Sequence, residues 1–438
     1  MFPCVGACAR INSRCATSSS NCAPFPEAHL RAIGADTVRS GDMRTLKDIP
    51  KRASLRLLGL GLSLAALPAA AEEAPPTPQE VMREARRSVL TDGIEKAEAV
   101  RIGGIDQWIS VRGRHKDNPL LLFLHGGPGF TALPTAYFYQ GEWEEYFTVA
   151  HWEQRGAGKT YALNPPDKVR PTMTVDRMVA DAEEVAAYLR KTYGKKRIVL
   201  VGHSWGTVLG VKLAQRHPDW FDAYVGISQV VDLPKNEALG YAATLQAARA
   251  DGNKKAIADL ESIAPFPDPK DPARTLANLG KERRWLMHYE TQGWRAPDWH
   301  GAEVWRYSPD VTGKDMQARD EGLDLSLAAF WGPITQLSLT QANRFALPVV
   351  FFHGRHDRTA SAQLLDSWYA TVQAPSKKLV WFEDSAHMVH EEEPGKVLVQ
   401  LVRDVLPLTR GKESRQEERR NPSPFGNSRV PPCPSRRG

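Results

Sequence analysis

Three polar side chains that could form a proton relay each follow an apolar run that predicts a buried strand. Ser204 follows the run 198–201, Asp357 follows 348–352 and His387 follows 378–382. A hydroxyl is a poor nucleophile at neutral pH, so it needs a general base, and imidazole has a suitable pKa. The imidazole in turn needs a carboxylate to fix its tautomer. These residue types therefore predict acyl-transfer chemistry, with Ser204 as nucleophile, His387 as base and Asp357 as the orienting acid.

Ser204 lies in the sequence Gly-His-Ser-Trp-Gly, between a β-branched apolar run and a helical pattern. A serine at such a bend takes a strained backbone conformation, and the flanking Gly202 and Gly206 let the strand and helix approach closely. The bend would lift the hydroxyl above the sheet, toward a substrate.

A second glycine-rich segment, His125 to Gly129, follows the apolar run 120–124. Backbone N–H groups exposed in such a loop can hold a developing oxyanion. We expect the N–H groups of Gly127 and Trp205 to form the oxyanion hole.

Other polar residues have simpler interpretations. Asp384 is an alternative acid, but it shares a loop with His387. His203 is expected to pack, and His353 and His356 to be structural. His387, His390 and the acids at 391–393 could suggest a metal, but helix-surface spacing and a solvated charge cluster explain them more simply.

The segment 153–160 ends like a phosphate-binding loop, but Glu153 stands where that motif requires its first glycine. A nucleotide site is therefore not expected. We also expect no metal and no organic cofactor.

Strand patterns alternate with helical patterns along most of the chain. A hairpin is expected at 99–112, a helix at 174–193 and a closing helix at 394–406. This rhythm predicts an α/β fold with a mostly parallel sheet covered by helices on both faces, formed by residues 95–231 and 346–410. Residues 232–345 break the rhythm, and we expect a mainly helical lid there. The aromatic residues of the lid either line the pocket or form the lid's own core: Trp285, Tyr289, Trp294, Trp299, Trp305 and Tyr307.

Charge and cysteine content separate the ends of this 438-residue chain from its body. The net charge is +6, but residues 72–410 hold 41 basic and 44 acidic side chains. All five cysteines lie within residues 1–22 or at Cys433. The body therefore lacks the basic surface that nucleic-acid binding needs, and it holds no thiolate nucleophile.

Residues 43–71 resemble a secretory signal, with a basic start, an apolar run and the small residues 69–71 before the expected cleavage site. We expect translation to begin at Met43, residues 1–42 to be a disordered, non-native extension, and residues 72–94 to be a linker or N-terminal segment. The basic, Pro-rich tail at 411–438 is expected to be disordered. The mature protein would be periplasmic or secreted, without stable membrane insertion.

The order Ser204, Asp357, His387 is the order found on α/β-hydrolase sheets. The motifs HGGPG at 125–129, EQRGAGKT at 153–160, GHSWGT at 202–207, HGRHD at 353–357 and SAHM at 385–388 resemble the proline iminopeptidases, the S33 serine peptidases. The resemblance covers about 95–230 and 345–408. It implies release of an N-terminal residue, typically proline, with the triad and oxyanion donors assigned above.

Two departures from that family pattern concern acidic residues. Glu153 replaces the usual Asp of the QRG motif, which should not affect the chemistry. The family's lid glutamates hold the substrate's α-ammonium, and the matching stretch 285–290 has no acid directly before its His-Tyr pair. Glu290 or Glu303 could substitute, and Trp294 could contact the substrate.

The sequence thus predicts an exported serine hydrolase, a proline iminopeptidase-like aminopeptidase acting on small peptides. A carboxylesterase or amidase with the same triad is the alternative, and a non-catalytic binding protein on the same fold is a further one.

Overall fold

The structure is a computed structural model that describes residues 75–87, 92–289 and 301–410. The expected extension at 1–42, the leader at 43–71 and the tail at 411–438 lie outside the described residues, as do Glu290 and Trp294. Glu303 lies in a described helix, but its side chain is outside what is described. Within these ranges, no helix has both the length and the apolar character needed to cross a membrane.

Eight strands form one sheet in the order β1-β2-β4-β3-β5-β6-β7-β8. β2 is antiparallel to β1 and to β4, and all other neighbours are parallel, so the expected mostly parallel sheet is confirmed. The strands are β1 Ile94–Ile102, β2 Ile105–Gly113, β3 Leu120–Leu124, β4 Thr148–Trp152, β5 Ile198–His203, β6 Phe221–Ile227, β7 Val349–Gly354 and β8 Lys377–Phe382.

Helices follow most of the parallel strands. They are α1 Pro78–Ala85, α2 Leu133–Tyr139, α3 Gly158–Leu163, α4 Pro166–Val169, α5 Val175–Thr192, α6 Trp205–Arg216, α7 Leu233–Asp251, α8 Lys254–Glu261, α9 Pro272–Tyr289, α10 Gly301–Arg306, α11 Gly313–Ile334, α12 Ala362–Thr371, α13 Val389–Glu392, α14 Pro394–Gln400 and α15 Leu406–Thr409.

Both faces of the sheet are covered, as the uninterrupted apolar run of β3 requires. Alternate residues of a strand point to opposite faces. Leu120, Leu122 and Leu124 belong to one core with residues of α5 and α6. Leu121 and Phe123 belong to a second core with residues of α2 and α14. The arrangement of a sheet between two layers of helices therefore follows from which strands are apolar on both sides.

Helices α7 to α11 form the expected helical insertion between β6 and β7. Pro265, Pro267 and Pro269 lie between α8 and α9, where a helix cannot continue through them, and Pro272 is the first residue of α9. α11 packs against the loops at the carboxyl end of the sheet: Ser326 Oγ donates to the backbone oxygen of Gly156 at 3.2 Å. Leu286, Met287 and Leu323 of the insertion also line one cavity with Ser204 and His387, so the insertion covers these strand ends.

The closing helix differs from its prediction. α14 ends at Gln400, a π-helical turn spans Leu401–Val405, and α15 follows. Pro407 lacks a backbone N–H and crowds the preceding turn, so a regular α-helix is not maintained up to it.

Candidate active site

Ser204 forms a sharp turn between β5 and α6. Its backbone has φ 53° and ψ −121°, a region that costs a non-glycine residue about 1–3 kcal/mol. The neighbouring glycines explain how the turn is possible: a Cβ on Gly206 would overlap the backbone oxygen of Leu124, and one on Gly202 would meet that of Gly206. The serine conformation expected from the sequence is therefore present.

His387 and Asp357 are hydrogen-bonded to each other. His387 Nδ1 lies 3.0 and 3.1 Å from the two carboxylate oxygens of Asp357, both residues being buried. Burial opposes ionisation of Asp357, but the charge of His387 and the hydrogen bond from its ring outweigh it, so the pKa of Asp357 is lowered. Asp357, rather than the alternative Asp384, thus fixes the tautomer in which Nδ1 carries the proton and Nε2 can accept one.

Two residues at the ends of neighbouring strands hold the backbone of His387. Its carbonyl accepts a hydrogen bond from Ser228 Oγ at 2.7 Å and one from His203 Nε2 at 3.2 Å. Burial, followed by the nearby His387, lowers the pKa of His203 to about 3, so its ring is neutral. The expectation that His203 merely packs is therefore incomplete.

The acidic run 391–393 is not the solvated charge cluster that the sequence suggested. Glu392 accepts the N–H groups of Ala386 at 2.7 Å and Met388 at 2.8 Å, the two residues that flank His387. Glu393 accepts the hydroxyl of Ser385 at 2.6 Å. Glu392 turns inward because this tight loop leaves N–H groups that no strand satisfies.

His390 and Glu391 are also buried rather than on a helix surface. The His390 ring packs 4.6 Å from that of His203 and 4.7 Å from that of Tyr139. Burial keeps its pKa well below the usual value and raises the pKa of Glu391 to about 7. In the described ranges, no cluster of three or more His, Cys, Asp or Glu side chains is arranged to hold a metal.

One cavity of about 290 Å³ contains both Ser204 and His387. Gly126 and Gly127 form part of its wall, and the remaining wall is largely apolar: Phe130, Leu286, Met287, Trp305, Leu323 and Met388. Among its described lining residues, Arg283 alone carries a permanent charge. The cavity thus has room for a small apolar group beside the serine hydroxyl.

The two expected oxyanion donors belong to the loop 125–129 and to the start of α6. Gly127 lines the cavity with a backbone φ of 112°, and Trp205 is the first residue of α6, so its N–H has no acceptor within the helix. Gln154 joins the two segments: its side chain donates to the carbonyl of His125 at 2.9 Å and accepts from the Trp205 indole at 3.2 Å. The QRG motif therefore braces the oxyanion loop.

Glu153 connects the segment just after this loop to the start of α3. It is buried, accepts the hydroxyl of Thr131 and accepts the N–H of Lys159 at 2.6 Å. Burial raises its pKa to about 7. Lys159 pairs with Asp315 of α11 at 2.6 Å, so the segment that mimics a phosphate loop joins the core to the lid.

The lid contributes a charge cluster that the sequence did not predict. Arg283 binds both carboxylate oxygens of Glu237, at 2.6 and 2.7 Å, and also contacts Glu282. Burial raises the pKa of Glu282 to about 7, while Arg283 opposes the rise. Burial disfavours the charge of Arg283, but the two carboxylates outweigh it and raise its pKa. The cluster thus holds two carboxyl groups and one cation, and the raised pKa of Glu282 leaves that carboxyl group partly protonated at neutral pH.

His353 and His356, which lie in the segment that carries Asp357, have different environments. His353 is buried, and its Nε2 donates to the backbone oxygen of Ala360 at 2.8 Å, which orders the loop that carries Asp357. His356 Nε2 donates to the backbone oxygen of Glu383 at 3.1 Å. Both contacts fit the structural role expected for these residues.

Comparisons with known proteins agree with this architecture. Residues 119–394 match the family model described as alpha/beta hydrolase fold. The chain is 31% identical over 299 residues to the probable aminopeptidase YbaC of Bacillus subtilis (strain 168), which covers 67% of this chain and 91% of that protein. It is 36% identical to a probable proline iminopeptidase of Leptolyngbya boryana, but over only 23% of this chain and 28% of the relative.

A solved structure shares the fold. The proline iminopeptidase-related protein of Thermus thermophilus superposes with a TM-score of 0.51 at 20% identity, covering 72% of this chain and 99% of that one. An identity this low supports the similarity of fold alone.

Proposed function

The chain belongs to the α/β-hydrolase fold family, and from that premise we propose that it is a serine hydrolase that releases N-terminal residues, proline in particular, from small peptides. One observation carries the proposal: a serine at a strained turn shares a cavity with a histidine that is hydrogen-bonded to a buried carboxylate.

The proposed reaction begins with attack of Ser204 Oγ on the carbonyl carbon of the scissile bond. His387 Nε2 takes the hydroxyl proton, and Asp357 stabilises the resulting imidazolium. The N–H groups of Gly127 and Trp205 would stabilise the tetrahedral oxyanion, each worth about 10²–10³-fold in rate. His387 then gives the proton to the leaving amine, and water hydrolyses the acyl-enzyme by the reverse use of the same groups.

The lid cluster and the relative's name favour an aminopeptidase within this class. An exopeptidase that recognises a free N-terminus must hold an ammonium group, and a cation close to the lid cluster would favour the ionised form of Glu282. The apolar wall of the cavity suits a pyrrolidine ring. The 31% identical relative carries the name of a probable aminopeptidase.

A second candidate is an esterase or amidase without N-terminal recognition. It is favoured by a specific observation: Arg283, not a carboxylate, is the charged side chain among the described lining residues of the cavity. An esterase needs no ammonium site, so this arrangement would not hinder it.

Parallel assays separate the two candidates. The aminopeptidase predicts hydrolysis of proline arylamide, with little turnover of the same arylamide after N-acetylation and none in Ser204→Ala. Turnover of short p-nitrophenyl esters alone would reject the peptidase. A wild-type protein whose Ser204 is not labelled by a fluorophosphonate would reject the serine hydrolase as a whole.

We further propose that the protein is exported, on the basis of residues 43–71. N-terminal sequencing of the secreted or periplasmic protein should find a start near Glu72, and a mature protein that retains Met43 would contradict export with cleavage.

A further inference from the structure

The first described helix, α1, is attached to a lid segment more than 220 positions later in the chain. Gln79 Nε2 donates to the backbone oxygen of Arg306 at 2.5 Å. Arg83 Nη2 donates to that of Pro309 at 3.1 Å. Arg86 Nη1 pairs with Asp310 at 2.6 Å. Three contacts, from side chains spaced four and three residues apart, therefore fix residues 306–310 to α1 and its C-terminal cap.

The segment held in this way carries Trp305. The indole lines the active-site cavity, where its ring meets Phe130 edge-on at a centroid distance of 5.7 Å. The guanidinium of Arg319 lies 3.8 Å from the indole centroid. One of the aromatic residues that the sequence assigned either to the pocket or to the lid core is thus part of the pocket wall.

Trp305 also faces a second space. A surface groove of about 500 Å³ runs between α1 and the start of α11, and Trp305 is among its lining residues together with Thr77, Gln79, Glu80, Arg83, Arg306 and Met316. The same side chain therefore borders both the cavity and the groove, and it separates the catalytic serine from that side of the surface.

Local structure alone would not hold this side chain in place. α10 has six residues, and helices of that length are not stable without tertiary contacts. Besides the ring contacts with Phe130 and Arg319, a backbone contact holds this helix, since Tyr137 OH donates to the backbone oxygen of Val304 at 2.7 Å. The position of the indole thus depends on α2 at one end of the segment and on α1 at the other.

We propose that Trp305 limits the size of the apolar group that the cavity accepts beside Ser204, and that α1 is a strap that positions it. The proposal rests on the serine hydrolase function proposed above. The pyrrolidine of proline is small enough for the cavity as it stands, whereas we expect the larger benzyl group of phenylalanine to reach the indole at the cavity wall.

Two sets of variants test the proposal. Trp305→Ala and Trp305→Phe change the wall itself, and the second preserves an aromatic ring if the first fails to fold. Arg83→Gln and Asp310→Asn each remove one strap contact. Arg87→Gln is the matched control, because Arg87 is a 70% exposed residue of the same segment whose side chain pairs only with Glu84 among the described residues.

The readout is the ratio of kcat/KM for phenylalanine arylamide to that for proline arylamide, or for the corresponding esters if the enzyme proves to be an esterase. Enlarging a pocket by the volume of a few methylenes changes such ratios by about one or two orders of magnitude, so Trp305→Ala should raise the ratio about tenfold or more, and Trp305→Phe by less. Loss of one partly exposed contact should raise it about two- to fivefold. Arg87→Gln should leave it unchanged.

Fluorophosphonate labelling of Ser204 separates the two proposals. Labelling of wild type and variants at similar rates, with the ratio unchanged in both Trp305 variants, would overturn the size limit. A changed ratio in the Trp305 variants but not in Arg83→Gln or Asp310→Asn would overturn the strap. Absence of labelling in the wild type would overturn the proposed function, and the present inference with it.

Discussion

Replacing Glu392 by Gln should impair catalysis without any change to the three residues of the relay. Glu392 accepts two backbone N–H groups, one on each side of His387, at 2.7 and 2.8 Å. The amide keeps one acceptor oxygen and presents an NH₂ group to the other N–H, so one charge-assisted hydrogen bond is lost. Such bonds contribute about 1.5–3 kcal/mol, and we expect the free energy of unfolding to fall by about 2 kcal/mol.

The catalytic effect should exceed the effect on substrate binding. A displacement of the imidazole by about 1 Å can cost about 10²-fold in rate, so kcat should fall about 10- to 100-fold while KM changes little. Steady-state kinetics and the rate of fluorophosphonate labelling should fall together. The matched control is Glu383→Gln, in the same loop but exposed and paired with Arg355. A folded Glu392→Gln protein with kcat within about twofold of the wild type would refute the positioning role.

Further predictions concern three other ionisable side chains, those of Asp357, Glu391 and Arg283. Asp357→Asn should lower kcat about 10⁴-fold with little change in KM, because the ring of His387 loses the acceptor that fixes its tautomer; a loss under about tenfold in steady-state assays would contradict this. The pKa of Glu391 is raised to about 7 from 4.5, so its stabilisation is complete below pH 4.5 and is lost as the pH rises through 7. The Tm of Glu391→Gln, measured by calorimetry, should therefore fall less than that of the wild type between about pH 5 and about pH 8, and equal falls would count against the buried carboxyl. Arg283→Met leaves two buried carboxylates without their cation and should cost about 3–5 kcal/mol in denaturant unfolding; a loss below about 1 kcal/mol would mean that the cluster is solvated.

The sheet could be predicted, and so could the meeting of three polar residues at one of its edges, because both are marked by local patterns. β3, β5 and β7 are uninterrupted apolar runs, and parallel strands bring their carboxyl ends to one edge. That rule alone places Ser204 near the loops of Asp357 and His387. The turn at Ser204 was predictable from the two glycines that flank it.

The residues that the sequence analysis misjudged depend on contacts with distant or backbone partners. Nothing in a run of three glutamates shows that Glu392 satisfies N–H groups of an upstream loop, so the run resembled a solvated surface. The pairing of Arg283 with Glu237 joins two lid helices whose relative placement no local pattern reveals. A serine after a strand end is common, and Ser228 therefore carried no distinguishing feature.

The order of the strands has a consequence for a chain that is still being synthesised. β1 to β6 can form a sheet, with its serine turn, before the lid and the last two strands exist, since β7 and β8 add at one edge. A ribosome-bound chain that ends within the lid would therefore contain Ser204 at its turn. It would still lack Asp357 and His387, the residues proposed to activate the hydroxyl. Such a chain would be inert toward cytoplasmic peptides and esters until the last two strands have emerged and docked.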